Sequence, residues 1–205
     1  MCSPLVNVFD LNYLAHQHLS FDSEPIMVGN FIADTLRSGQ VGEYDRYIRL
    51  GIEIHRYIDT YTDGHALPLD TRKLLYPYFG KYAAVVQDMF YDHFLALQWS
   101  LYRDTPLPDF SRKVYTVMAD HADQLNPRAA RTLHYMEMQD WLTGYARREG
   151  IDRALKGLAA RAKFQSNMER AVPALEAHFN EMKAHFDLFF PELEHAVHQT
   201  FSSRI

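Results

Sequence analysis

The chain has 205 residues, of which 47% are hydrophobic and 23% charged, and its formal net charge is -5. This composition is that of an ordinary globular protein with one substantial core, and the negative charge argues against general nucleic-acid binding. Nowhere do about 18 apolar residues run together, so we expect a soluble protein without a membrane partner. Because Cys2 is the single cysteine and no signal-peptide pattern is visible, we expect a cytoplasmic location.

Helices are predicted along the whole chain, because apolar residues recur at spacings of three and four and no segment alternates as a strand does. The sequence therefore predicts an all-α, single-domain helical bundle. The predicted helices cover residues 12–19, a second helix that carries Asp34 and stops near Gly39, and then 43–61, 83–101, 111–124, 127–149, 151–163 and 167–190. Pro77 and Gly80 favour turns before the fourth helix, and Pro191 is expected to interrupt or kink the last.

The third predicted helix carries two different polar groups. One is a stripe of the kind that faces water: Asp45, Arg49, Glu53, Arg56 and Thr60. His55 and Asp59 instead flank the apolar face, and Gly51, one turn earlier, permits close packing. Because His55 and Asp59 are four residues apart, they lie on successive turns and can reach one cation, or they can simply tie this helix to its neighbour.

The fourth predicted helix is apolar on most sides, yet Asp88, Asp92 and His93 interrupt it. The two aspartates share a stripe with apolar residues, so we expect their side chains to point into the protein. Unpaired ionised carboxylates would be costly there or would become neutral. A bound cation removes the problem, and buried salt bridges to arginine are the alternative.

The first two predicted helices contribute His16, His18 and Asp34. Taken singly, such residues are more often core, surface or capping residues than ligands. Taken together, four helices bring carboxylate or imidazole groups close to apolar surface, which is how helical bundles build metal sites. The mixed oxygen and nitrogen donors suit manganese, iron, zinc or magnesium better than a soft metal.

Several sequence blocks resemble those of the acyl carrier protein phosphodiesterases. The four strongest are NYLAHQHLS (12–20), VGNFIADTLRSG (28–39), GIEIHRYIDTYTDGH (51–65) and VVQDMFYDHFLALQW (85–99), and two weaker ones are QDWLTGY (139–145) and LKGLAAR (155–161). Linked blocks in the right order are specific, whereas one His and Asp four residues apart would be weak. The resemblance implies a domain over residues 12–205, with residues 1–11 as an N-terminal extension.

The resemblance implies removal of 4'-phosphopantetheine from holo acyl carrier protein, with Mn²⁺ as the expected metal and Mg²⁺, Fe²⁺ or Zn²⁺ as alternatives. It also implies a fold like that of the HD phosphohydrolases, although this chain has no adjacent His-Asp pair and Asp92-His93 has the reverse order. The predicted metal ligands are Asp34, His55, Asp59 and Asp88. Further catalytic or supporting roles are predicted for His16, His18, Asp92 and His93.

The working mechanism is attack on phosphorus by a metal-activated water, with one histidine donating a proton to the leaving serine oxygen. Two other functions stay open at this point. The same metal chemistry would serve a hydrolase of nucleotides or another small phosphoester. In a non-catalytic helical binding protein, the acidic and histidine residues would only be paired inside the core.

A basic surface near the metal is expected, because acyl carrier protein is acidic. Residues 128–163 contain eight Lys or Arg and four Asp or Glu, an excess of four positive charges. Solvated helix faces are the alternative interpretation of this segment. Arg37, Arg46 and Arg49 form a second candidate surface. Arg161 is a candidate for neutralising phosphate, as is Arg56, although Arg56 lies on the water-facing stripe.

Overall fold

The computed structural model describes residues 12–37 and 39–205, and no β-strand occurs in these ranges. The α-helices are α1 (Tyr13–His18), α2 (Glu24–Ile32), α3 (Arg46–Gly64), α4 (Ala66–Phe79), α5 (Ala83–Leu97), α6 (Leu107–Asp120), α7 (Pro127–Gln139), α8 (Trp141–Gly144), α9 (Arg148–Arg161) and α10 (Ala171–Phe201). The all-α prediction is confirmed. The predicted extension at residues 1–11 lies outside the described residues. Among the helices that are described, none combines the length and the apolar character needed to cross a membrane.

The core forms around α5, which is buried along most of its length as its apolar sequence predicts. Aromatic rings from α10 cover one side of it. The Tyr91 ring lies 5.4 Å from Phe186 and 5.8 Å from Phe189, and the rings of Phe186 and Phe190 stack at 5.1 Å. Such aromatic contacts bury large apolar areas, so they fix α10 against the centre of the bundle.

Helices α2 and α3 pack backbone against backbone at two glycines. A Cβ atom on Gly29 would overlap the carbonyl oxygen of Ile48, and one on Gly51 would overlap that of Ile26. Only glycine permits this approach, as the sequence predicted for Gly51. The close packing brings the polar side chains at the end of α2 next to those on α3.

The region between the third and fourth predicted helices is itself a helix, α4, which the sequence analysis missed. Pro68 lies in its first turn, where a backbone N–H is not needed, and Pro77 lies only two residues from its end. The turn-forming residue is Gly80, which has a positive φ of 52°.

Three other predicted boundaries were wrong. Helix α2 ends at Ile32 rather than near Gly39, and Asp34 lies in the following 3₁₀ turn, where the Thr35 hydroxyl donates to the Ile32 carbonyl at 2.6 Å. The helix predicted for 127–149 breaks at Asp140, which adopts a φ of 44°. Helix α10 runs through Pro191 to Phe201 instead of stopping before it.

Candidate metal centre

His16, His55 and Asp59 form a compact group of potential metal ligands. Nε2 of His16 lies 3.2 Å from Oδ1 of Asp59, and Nε2 of His55 lies 3.2 Å from Oδ2 of the same carboxylate. The potential ligand atoms of the three residues all lie within 4.8 Å of one another. The two imidazoles stack with ring centroids 4.1 Å apart. Two helices, α1 and α3, thus direct nitrogen and oxygen donors to one point.

Asn30 on α2 orients both imidazoles. Its Nδ2 group donates to the His16 carbonyl at 2.9 Å and to the Ser20 hydroxyl at 3.0 Å, so its Oδ1 atom must face the other way. There it accepts from Nδ1 of His16 at 2.8 Å and from Nδ1 of His55 at 3.0 Å. With Nδ1 of each ring acting as donor, Nε2 of each neutral ring carries the lone pair that a metal needs.

Asn30 was not among the site residues predicted from the sequence. The signal for it was a polar residue within an apolar helix, four positions before Asp34 in the block that resembles the family. Its side chain is 1% exposed, so its amide must be hydrogen-bonded within the protein.

Asp34 joins the group through His55. Its Oδ1 atom lies 3.0 Å from Nε2 of His55, the same atom that meets Asp59. The side chains of Asp34 and Asp59 are each 29% exposed, whereas those of His16 and His55 are 3% and 7% exposed. The two carboxylates therefore form the solvent-facing edge of the centre, and the two imidazoles form its buried wall.

The group is electrostatically suited to a cation. Burial lowers the pKa of His55, but the bonds to Asp34 and Asp59 outweigh it and raise that pKa to about 10. Burial raises the pKa of Asp59, yet the two neighbouring imidazoles outweigh that effect and hold the pKa below its usual range. Ionised carboxylate and positive charge are thus both favoured at this position.

A divalent metal ion fits these residues. Nε2 of His16 is buried and, in the part of the chain that is described, has no hydrogen-bond partner, although it lies 3.2 Å from Asp59. An unsatisfied buried nitrogen is costly unless something else occupies its lone pair. Two imidazoles and one or two carboxylates form a donor set that suits manganese, iron or zinc. The donor chemistry and the geometry are those of a group that could hold a divalent cation.

Asp92 holds the start of α1 rather than joining the group. Its two carboxylate oxygens accept from the backbone N–H groups of Leu14 and Ala15, each at 2.9 Å. The side chain is fully buried as predicted, and burial raises its pKa to about 8 against the effect of these two bonds. Backbone N–H groups were not among the partners predicted for this buried carboxyl group, whereas the raised pKa agrees with the expectation that such a group becomes neutral. Asp92 therefore positions the helix that carries His16.

His18 lies at the other end of α1 and takes part in a different network. One ring nitrogen, Nε2, lies 2.7 Å from Glu194, and Nδ1 accepts from Nε of Arg103 at 2.9 Å. Arg103 also binds both carboxylate oxygens of Asp22, at 3.0 and 2.9 Å. Burial, together with the nearby charge of Arg103, lowers the pKa of His18 despite the opposing effect of Glu194. These contacts connect α1 to α10.

His93 and Asp88 also lie outside the three-residue group. Nδ1 of His93 donates to the Tyr145 carbonyl at 2.6 Å, and burial lowers its pKa. Oδ1 of Asp88 accepts from Nε2 of Gln87 at 3.0 Å, and Asp88 lines a small cavity together with Thr62. Asp88 points inward as the sequence predicted. Its role as a metal ligand and the catalytic role of His93 stay predictions.

Comparison with known proteins identifies the family. The model of the family described as acyl carrier protein phosphodiesterase matches residues 11–193. Proteins of that name from Klebsiella pneumoniae (strain 342) and Photorhabdus laumondii are each 30% identical to this chain, over 184 and 182 residues. These alignments cover 89% and 88% of this chain and 95% and 92% of the relatives.

An Escherichia coli O139:H28 protein of the same name is 29% identical over 188 residues, 89% of this chain and 95% of the relative. No solved structure matches the chain, so the likeness to HD phosphohydrolases stays a prediction. The family match covers most of the chain, and His16, His55 and Asp59 all lie within it. This chain belongs to the acyl carrier protein phosphodiesterase family.

Proposed function

We propose that this protein hydrolyses the phosphodiester bond of holo acyl carrier protein, releasing 4'-phosphopantetheine and the apo carrier protein. The observation that carries the proposal is the group formed by His16, His55 and Asp59 within a chain of this family. Two oriented imidazoles beside a carboxylate are the kind of metal ligands that a metal-dependent hydrolase uses. The bacterial relatives named above carry the name of this activity.

The residues that would hold the metal are His16 and His55 through Nε2, Asp59 through its carboxylate, and Asp34 at the exposed edge. The metal that we propose is Mn²⁺, which accepts both imidazole and carboxylate donors. A divalent cation supplies charge stabilisation to a phosphoryl oxygen and lowers the pKa of water from about 15.7 toward about 7.

The protein's own residues prepare the centre. Asn30 fixes both rings in one tautomer and one orientation, so no reorganisation of the imidazoles is needed when the substrate binds. Asp92 fixes the start of α1 and therefore the position of His16 relative to the other helices. The carboxylate edge is exposed to solvent, so a phosphodiester on another protein can approach the centre there. We propose that the reaction takes place in the cytoplasm.

Intact-mass analysis of holo acyl carrier protein tests the function. The purified protein is freed of metal and incubated with the carrier protein with and without Mn²⁺, and with free nucleotides in parallel. We expect conversion to the apo form only with metal, and little cleavage of nucleotides. A protein that cleaves nucleotides but not the carrier would be a small-phosphoester hydrolase. A folded protein that takes up no metal would instead be a helical binding protein.

A further inference from the structure

We propose that a basic, aromatic pocket beside the metal centre docks an acidic segment of the carrier protein itself, an inference that rests on the proposed function. The pocket has a volume of about 580 Å³ and lies where α7, α8 and α9 meet the start of α1. We call it the arginine pocket. It is lined by Tyr13, Pro127, Arg128, Arg131, Thr132, Tyr135, Trp141 and Arg161.

The charge of the arginine pocket fits an acidic partner. Among the described residues, its lining contains three arginines, at 128, 131 and 161, and no carboxylate, although the chain as a whole carries a net charge of -5. Guanidinium groups bind carboxylates in paired hydrogen bonds, and a positive patch speeds the encounter with a negative protein. The basic segment predicted from the sequence therefore contributes a concave site lined by arginines.

The aromatic residues of the arginine pocket fit a protein surface. Tyr135 is 42% exposed, and Met138, three residues later on α7, is 60% exposed. Tyr135 and Trp141 line the pocket and so place apolar surface beside the arginines. Tyrosine, tryptophan and arginine are the residue types that dominate binding energy at protein interfaces. An acidic segment with an apolar side chain among its carboxylates would use both features.

The arginine pocket is tied to the metal centre by two connections. Asn126, which caps α7, donates from Nδ2 to the Thr35 hydroxyl at 2.6 Å, and Thr35 follows Asp34 directly. Tyr13 lies on α1, one turn before His16. A protein bound in the arginine pocket would therefore lie beside the exposed carboxylate edge of the centre.

The prosthetic chain is a weaker candidate for the same pocket. Its single phosphate group is the reacting group and belongs at the metal centre. The remainder of the chain, with its amides and methyl groups, is uncharged and gives no reason for three arginines in one pocket. The carrier protein's acidic surface does, so the protein rather than its prosthetic group is the occupant that we propose.

Direct binding of fluorescently labelled apo acyl carrier protein tests the proposal without requiring turnover. The affinity is measured by anisotropy at low salt for the wild type and for Arg131→Glu. We expect Arg131→Glu to raise the Kd at least about 10-fold, the effect of losing one dominant interface residue, and to reduce its dependence on salt. Lys73→Glu is the matched control, because Lys73 has a 76% exposed side chain on α4 and undergoes the same charge change. Its Kd should match the wild type.

Tyr135→Ala provides a second, uncharged test, and we expect it also to raise the Kd. Circular dichroism of each variant establishes that it is folded. The proposal is overturned if both variants bind the apo carrier like the wild type, if Arg49→Glu weakens binding in their place, or if the wild type binds only the holo form. Because this assay involves no cleavage, a failure of the proposed hydrolysis would appear separately, in the mass analysis.

Discussion

His16 and His55 stack with their ring centroids 4.1 Å apart, and each presents Nε2 to a different oxygen of one carboxylate. In a protein core, each buried ring nitrogen needs a hydrogen-bond partner. Here Asn30 supplies the partner for Nδ1 of both rings. Nε2 of each ring therefore faces the carboxylates, where it can bind a cation together with them.

Removing the Asn30 side chain should weaken metal binding without removing a ligand. In Asn30→Ala, both imidazoles lose the acceptor that sets their tautomer, so we expect Mn²⁺ affinity to fall by about 10- to 100-fold. Isothermal titration calorimetry of the metal-free protein with Mn²⁺ measures this affinity. Ser111→Ala is the control, because Ser111 is also buried and hydrogen-bonded, but to Asp140. Equal affinities for Asn30→Ala and the wild type would rule out the orienting role.

Asp34 should contribute to metal binding from the exposed edge. Its carboxylate meets the same Nε2 atom of His55 that would bind the metal. We expect Asp34→Asn to lower Mn²⁺ affinity by about 10-fold or more and to reduce turnover of holo acyl carrier protein. If metal content and turnover were both normal, Asp34 would have only a pairing role and the proposed ligand set would shrink to three residues.

The contact between α2 and α3 should not tolerate a side chain at Gly29. A Cβ atom there overlaps the Ile48 carbonyl, so Gly29→Ala should lower the free energy of unfolding by about 1–3 kcal/mol. Gly157→Ala is the matched control on α9, where the added Cβ lies 3.9 Å from the nearest atom. Relief of glycine's entropy cost should stabilise that variant by about 0.5–1 kcal/mol. Urea unfolding distinguishes the two, and an equally mild effect at both positions would contradict the packing described.

Stability should depend on pH through Asp92. Burial raises its pKa from 3.8 to about 8, so the folded state holds a proton that the unfolded state releases. The free energy of unfolding therefore falls as pH rises from 3.8 to about 8. Asp92→Asn should remove this part of the slope and cost about 1–3 kcal/mol, because one of the Leu14 and Ala15 N–H groups loses its acceptor.

Urea unfolding of the wild type and Asp92→Asn at a pH of about 5 and about 7.5 measures the effect. The destabilisation caused by the substitution should be larger at the lower pH. A destabilisation that grows with pH would mean that the buried carboxyl group is ionised in the folded protein.

The sequence predicted the helical fold and the residues of α3 well, because both depend on local periodicity. The water-facing stripe of α3 is exposed, and the inward positions of His55 and of Asp88 were correct. Local pattern could not reveal which polar groups meet across helices. Asp92 and Asp88 lie on one stripe of α5, yet Asp92 binds the backbone of α1 while Asp88 binds Gln87.

Asn30 is another residue whose contacts across helices could not be predicted from local pattern. Its effect depends on two imidazoles from two other helices, and a single polar residue in an apolar helix does not reveal which side chains it will meet. Helix α4 was missed for a different reason. Pro77 was taken as a turn signal, but the helix continues through it and ends two residues later, at Phe79.

The most direct test of the metal centre is intact-mass analysis of holo acyl carrier protein treated with Asp59→Asn in the presence of Mn²⁺. Asp45→Asn is the control. It is the same substitution at the exposed N-cap of α3, where asparagine also caps well. We expect the wild type and Asp45→Asn to produce apo carrier protein and Asp59→Asn to leave the holo form intact. Full conversion by folded Asp59→Asn would show that the reaction takes place without this centre.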